Sequence, residues 1–153
     1  MKPNNYTQLS VHLVFATKYR ECLLNKNQQN ETWRYIGGTI NKLGHKCLKV
    51  NGVSDHVHIL LGLNPVISIS DLVRDIKRSS ALFINSQNCF KKSFCWQEGY
   101  GAFSISLSDQ PRIWSYIDKQ EDHHKKVSFK DEYRKVLSDA GIDYNEKYLF
   151  VDL

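Results

Sequence analysis

What most limits the fold of this chain is the order in which its hydrophobic period changes. LSVHLVFAT (9–17) alternates and is rich in β-branched and aromatic residues, as a strand does. Residues 26–43 then carry Trp33, Ile36, Ile40 and Leu43 at helical spacing, although the Gly37–Gly38 pair weakens that helix. Strand patterns return in HKCLKVNGV (45–53) and HVHILLGL (56–63), joined by a short turn through Ser54 and Asp55 and ended by Pro65. Ser68 with Asp71 forms a capping box ahead of Ile69, Leu72, Val73, Ile76, Phe83 and Ile84, which keep helical spacing. YGAFSIS (100–106) reads as a fourth strand. Ser108 is expected to cap a helix over about 109–125, and Ser128 with Asp131 another that ends near Gly141.

Strand, helix, strand, strand, helix, strand is the β-α-β-β-α-β order of ferredoxin-like folds, in the α+β class. It predicts an antiparallel sheet with helices on one face, followed here by appended C-terminal helices. At 153 residues the chain has the length of one domain, taken as 1–153 with a core over 6–133 and a tail over 142–153. No apolar run approaches the roughly 18 residues that span a bilayer, and MKPNNYTQ lacks the regions of a signal peptide. A cytoplasmic protein without membrane contact is therefore expected. Cys22, Cys47, Cys89 and Cys95 have no paired spacing and read as reduced, structural residues. Lysine and arginine outnumber acids 21 to 16, for a net charge of +5, which suits a polyanionic partner without requiring one. Such a fold hosts many activities, so side chains must decide the function.

The informative stretch is SDHVHILLG (54–62). On a strand His56 and His58 project from one face, and Val57 and Ile59 from the other. Two neutral imidazoles side by side form half of a metal site; the plainer reading is that each is satisfied by a backbone carbonyl. By residue type a third ligand is available from His123, His124, Asp55, Glu98 or Gln120, and spacing does not choose among them.

Asp55 followed by His56-Val57-His58, on a central strand of a ferredoxin-like sheet, resembles the histidine-hydrophobe-histidine (HUH) motif of single-strand DNA nucleases. WSYIDKQEDHHKK (114–126) resembles the nucleophile helix of the single-tyrosine HUH transposases, the insertion-sequence 200/605 group. There a tyrosine is followed four residues later by a glutamine, as Tyr116 is by Gln120. On one helix these two would reach the same point. TKYR (17–20) and WQEGYGAF (96–103) also look like family segments, and the likeness runs from about Tyr6 to Tyr133.

The resemblance implies a metal-dependent transposase that cleaves and rejoins single-stranded DNA at insertion-sequence ends through a covalent 5′-phosphotyrosine. It implies Tyr116 as nucleophile, and His56, His58 and Gln120 as ligands of Mg2+ or Mn2+. It also implies DNA with hairpin ends as partner, and a homodimer in which the tyrosine helix of one subunit completes the histidine site of the other. His123 and His124, in a basic run, are expected to be solvated or near phosphate. Lys18, Arg20, Arg74, Lys77, Arg78, Lys125 and Lys126 are the candidate phosphate contacts, and Trp96, Tyr100 and Phe103 are candidates for base stacking. The alternative is a non-catalytic or host-adopted single-stranded nucleic-acid-binding module of the same fold. A zinc hydrolase built on His56 and His58 lacks a convincing third ligand and general base.

Overall fold

The computed structural model describes residues 4–19 and 22–149; Arg20 and the last four residues of the expected tail lie outside them. Strands β1 (Ser10–Ala16), β2 (Lys46–Gly52), β3 (His56–Gly62) and β4 (Gly101–Ile105) form an antiparallel sheet in the order β2-β3-β1-β4. Helices α1 (Lys26–Lys42) and α2 (Ile69–Ser86) cross between strands, and α3 (Gln110–Asp118), α4 (Gln120–His123) and α5 (Phe129–Asp139) follow the last one. This is the ferredoxin-like architecture with appended helices that the sequence predicts.

Register decides which side chains meet. In the β1–β3 pairing Ala16 lies opposite His56, Val14 opposite His58 and His12 opposite Leu60. Partners across a ladder share a face, so these six residues look one way, while Val11, Leu13, Phe15, Val57, Ile59 and Leu61 look the other. The second set packs with Trp33, Ile36 and Ile40 of α1 and with Leu72, Val73, Ile76 and Ile84 of α2. Each such burial removes apolar surface worth about 1.5–3 kcal/mol.

The histidine face is covered by the appended helices. Ile113 and Ile117 of α3 seal Leu60, and Phe129 and Tyr133 of α5 join the core that contains Val14 and Ala16. A Cβ on Gly101 would come within 3.0 Å of the Tyr133 ring, so a glycine at that point lets α5 lie close over β4. At the β2–β3 turn a Cβ on Gly52 would meet the His56 carbonyl oxygen at 2.2 Å. That close approach sets the start of β3, and with it the two histidines.

Local signals explain most helix ends. Ser68 accepts from the Asp71 N–H at 3.1 Å and Ser128 from the Asp131 N–H at 3.2 Å, although Asp71 turns its carboxylate to Arg74 instead of completing a box. Helix α1 runs unbroken through Gly37 and Gly38. The helix expected over 109–125 differs. Leu107–Asp109 is a 3-10 turn, the Ser108 hydroxyl pairs with Ser106 instead of capping, and the chain leaves helical geometry at Lys119 before α4 begins. The cause lies on β2, where the Asn51 amide donates to the carbonyls of Ile117 at 3.0 Å and Asp118 at 3.2 Å. Those bonds satisfy carbonyls that a helix C-terminus leaves open.

Candidate functional site

The two histidines of β3 are buried, and each ring is oriented by a partner behind it. His56 Nδ1 lies 2.7 Å from Asp55 Oδ1, so that nitrogen carries a proton and donates it, and the ring stacks on Phe129. His58 Nδ1 lies 2.8 Å from Nε2 of His12, a buried residue on β1. Burial lowers the His58 pKa to about 4 and that of His12 to about 3, so this pair is neutral at pH 7. Burial also opposes a charge on His56, but the Asp55 and Glu132 carboxylates outweigh it and raise His56 above its ordinary value.

In front of both rings stands Glu132, 3% exposed, on the first turn of α5. Its Oε1 lies 3.0 Å from His58 Nε2, 2.9 Å from His124 Nε2 and 3.4 Å from His56 Nε2. Its Oε2 accepts from the Tyr116 hydroxyl and, at 3.0 Å, from the Gln120 amide. Burial alone would push the carboxyl up, yet hydrogen bonds to His124, His56 and His58 hold it well below the usual carboxylate range. Burial and the charge on Glu132 together push the Tyr116 phenol well above the tyrosine range. In this arrangement the phenol keeps its proton.

Tyr116 and Gln120 therefore reach one point although a break in the helix separates them. His56, His58, Gln120 and Tyr116 are brought together within one chain. Asp55 stands behind His56, whereas Glu98 is exposed and acts on Lys77. His124, expected to be solvated or near phosphate, is instead turned into the cluster with its side chain 9% exposed. His123 Nε2 comes to 3.3 Å from Glu132 Oε2 without a hydrogen bond.

The candidate phosphate contacts divide. Lys18 is exposed just beyond Ala16, at the end of the sheet where His56 begins, and Lys125 and Lys126 are exposed beside His124. Arg74, Lys77 and Arg78 belong to α2, behind the sheet. Arg74 pairs with Asp71 and Asp75. Lys77 donates to the carbonyls of Gln97 at 2.8 Å and Gly99 at 2.6 Å, and burial lowers its pKa to about 8. It ties a loop to α2 with two of its three N–H donors. Trp96 is core, with its indole N–H on Ser80, while Tyr100 is exposed.

Among the described residues, ligand atoms of His56, His58, His124 and Glu132 all lie within 4.8 Å of one another. Three imidazole nitrogens directed at one carboxylate oxygen, each ring held from behind, fit a divalent cation that accepts nitrogen.

A family profile described as "Transposase IS200 like" matches residues 5–120. The chain belongs to the IS200-like transposase family. It is 27% identical over 120 residues to the ISDra2 transposase TnpA of Deinococcus radiodurans, covering 75% of this chain and 86% of that one. It is 27% identical over 123 residues to the transposase for insertion sequence element IS200 of Salmonella typhimurium, covering 74% and 78%. A crystal structure assigned as a transposase from Deinococcus radiodurans R1 superposes with a TM-score of 0.61 at 25% identity, over 78% of this chain and 96% of that one. The structure of a REP-associated tyrosine transposase bound to a REP hairpin gives 0.58 at 17% identity, over 100% and 94%, and speaks for the fold.

For an IS200-like transposase two site residues stand apart, because the family match ends at Gln120 while His124 and Glu132 lie beyond it. Sequence reasoning passed over Glu132. Its signal is a carboxylate on an otherwise apolar helix face, since Phe129, Tyr133 and Leu137 are the buried neighbours along that side. His12 was equally legible as an imidazole on a strand next to β3, once the pairing of β1 is known.

Proposed function

We propose that the chain is a metal-dependent transposase that cleaves and rejoins single-stranded DNA at insertion-sequence ends, with Tyr116 as nucleophile. His56, His58 and Gln120 would hold the divalent cation, Mg2+ or Mn2+. The observation that carries this reading is convergence: the Tyr116 hydroxyl, the Gln120 amide and both β3 imidazoles meet on the single Glu132 carboxylate. Hairpin-ended DNA as the substrate rests on family membership and on the neighbour solved with a REP hairpin.

In the proposed reaction the Tyr116 oxygen bonds to phosphorus as the bond from phosphorus to the 3′ oxygen breaks. The leaving oxygen takes up a proton and becomes a free 3′-hydroxyl. The 5′-phosphotyrosine keeps the energy of the ester, so a second 3′-hydroxyl can displace Tyr116 and rejoin the strands without ATP. Forming tyrosinate at pH 7 from a phenol of ordinary pKa costs about 4 kcal/mol, and burial beside Glu132 adds to that cost. A cation held by His56, His58 and Gln120 would supply positive charge to offset Glu132, to polarise the scissile phosphate and to favour the tyrosinate. Asp55 and His12 hold the imidazoles in place, and Ile113 and Ile117 anchor the helix that carries Tyr116.

The resemblance implies a homodimer with exchanged tyrosine helices; within one chain Tyr116 already reaches Glu132, so attack in cis and attack in trans are both forms of this proposal. The test is a labelled single-stranded insertion-sequence end incubated with Mn2+. A covalent adduct that Tyr116→Phe abolishes is expected. An adduct surviving in that variant removes the assignment, and no cleavage under any divalent cation favours the non-catalytic binding module.

A further inference from the structure

We propose that His124 and Glu132 are themselves ligands of the cation, so that the end of α4 and the first turn of α5 complete a site of three imidazoles and a carboxylate. The inference deepens the metal-dependent reading above and rests on it. It concerns residues outside the segment that defines the family, which ends at Gln120.

His124 Nδ1 lies 2.7 Å from the Val127 carbonyl oxygen, which can only accept, so Nδ1 must carry a proton. In a neutral ring Nε2 is then a lone pair, and it faces Glu132 Oε1 at 2.9 Å. His56 repeats the pattern: Nδ1 donates to Asp55, and Nε2 faces Gln120 Oε1 at 3.1 Å and Glu132 Oε1 at 3.4 Å. Lone pairs and carboxylate oxygens cannot face each other across a buried space without positive charge between them. Either protons or a metal ion must supply it.

The partners behind the rings favour the metal. An imidazole whose Nδ1–H is held by a carboxylate or a carbonyl, with Nε2 presented forward, is the usual arrangement of a metal-binding histidine. Asp55 and Val127 supply those acceptors, and His12 can accept from His58 in the same way. Glu132 brings the negative charge that two histidines and an amide lack. With Gln120 the donors number five, which leaves an octahedral ion one position for a phosphate oxygen. Three nitrogens in the set favour Mn2+ over Mg2+, which prefers oxygen and keeps its water. Binding the ion would also fasten α5 over the sheet.

Metal titration of the full chain without DNA tests this, read from the electron paramagnetic resonance of free Mn2+. Glu132→Gln and His124→Ala should each weaken Mn2+ binding by at least about tenfold, and His56→Ala should do the same. Spin-echo modulation of the bound ion should show coupling to three imidazole nitrogens in the natural protein and to two in His124→Ala. If Glu132→Gln does not fold, the nitrogen count decides alone. Wild-type affinity in both Glu132→Gln and His124→Ala, with loss in His56→Ala, overturns the inference and leaves the proposed function standing. Tighter binding in Glu132→Gln overturns it as well, because the carboxylate would then be occupying the ion's place. Absence of Mn2+ binding by the natural protein removes this inference and the cation from the proposed function together.

Discussion

His12 Nε2 approaches His58 Nδ1 to 2.8 Å between neighbouring strands, with the two rings stacked 5.1 Å apart. His58 can present a lone pair at Nε2 only when its proton sits on Nδ1, and His12 is the group there to accept it. Phenylalanine at position 12 would keep the bulk and leave that N–H buried without a partner. We expect His12→Phe to weaken Mn2+ binding by about 10- to 100-fold. His12→Gln, which retains an acceptor, should recover most of the loss. Nitrogen chemical shifts of His58 would report the change of tautomer, which a purely structural defect would not produce.

The contact of Tyr116 with Glu132 in one chain leads to a mixing experiment. Tyr116→Phe and His56→Ala proteins are each expected to be inactive in forming the DNA adduct. If each chain uses its own tyrosine, mixed samples stay inactive. Recovery of activity in the mixture would mean that tyrosine helices exchange between subunits and that the intrachain contact is not the reactive one.

Acidity should act on the site in a defined direction. His56 has a raised pKa, so in the metal-free protein its protonated form contributes stability below pH 6.5, and that contribution is lost as pH rises through the raised value. Glu132 has a depressed pKa, so its contribution is present above the ordinary carboxylate value and lost as pH falls through the depressed one. A proton on His56 also competes with a cation. Mn2+ affinity should therefore climb as pH is raised above 6.5, and Asp55→Asn should move that climb to lower pH. Titrations at several pH values check both statements.

The strands and the two crossover helices were legible because their signals are local: period two in β1 and β3, helical spacing in α1 and α2, and a serine ahead of α2 as of α5. The pair His56 and His58 was legible for the same reason. The break at Lys119 was not, because its cause is an amide on β2 distant in sequence from the helix it interrupts. Glu132 escaped, and His124 stayed one of five candidates by residue type, because the cluster they join is assembled by tertiary packing. Glu132 reads as one more solvated acid until Phe129 and Tyr133 are seen to turn its helix face inward. The structural role of Lys77 was hidden for the converse reason, since nothing local shows that its ammonium will meet the carbonyls of Gln97 and Gly99.

Asn51 offers a way to disturb Tyr116 without touching it. Its amide closes the end of α3 through two carbonyls, one residue and two residues past the tyrosine. Asn51→Ala removes those bonds and should cost about 1 kcal/mol of stability, readable by urea unfolding. Adduct formation should fall further than this loss of folded protein explains, with single-strand affinity little changed. Equal losses in binding and chemistry would show that α3 acts as a whole and does not aim the phenol.

Charge placement separates two faces of the molecule. Lys18, Lys125 and Lys126 are exposed at the end of the sheet occupied by the histidines, and Lys125 and Lys130 line the depression that Asp55 and His124 also border. Arg74 and Arg78 stand on α2, whose apolar side packs on the opposite face of the sheet. A phosphate chain that reaches Tyr116 can pass the first group without meeting the second. Each true phosphate contact on a single strand contributes a slope of about 0.7 in log affinity against log salt concentration. We expect Lys125→Ala and Lys18→Ala each to weaken binding of a single-stranded oligonucleotide and to flatten the salt dependence by about that amount. Arg74→Ala and Arg78→Ala should leave the slope unchanged. If the α2 variants flatten it as much as Lys125→Ala does, the strand runs behind the sheet, and its route to Tyr116 would have to turn around an edge strand.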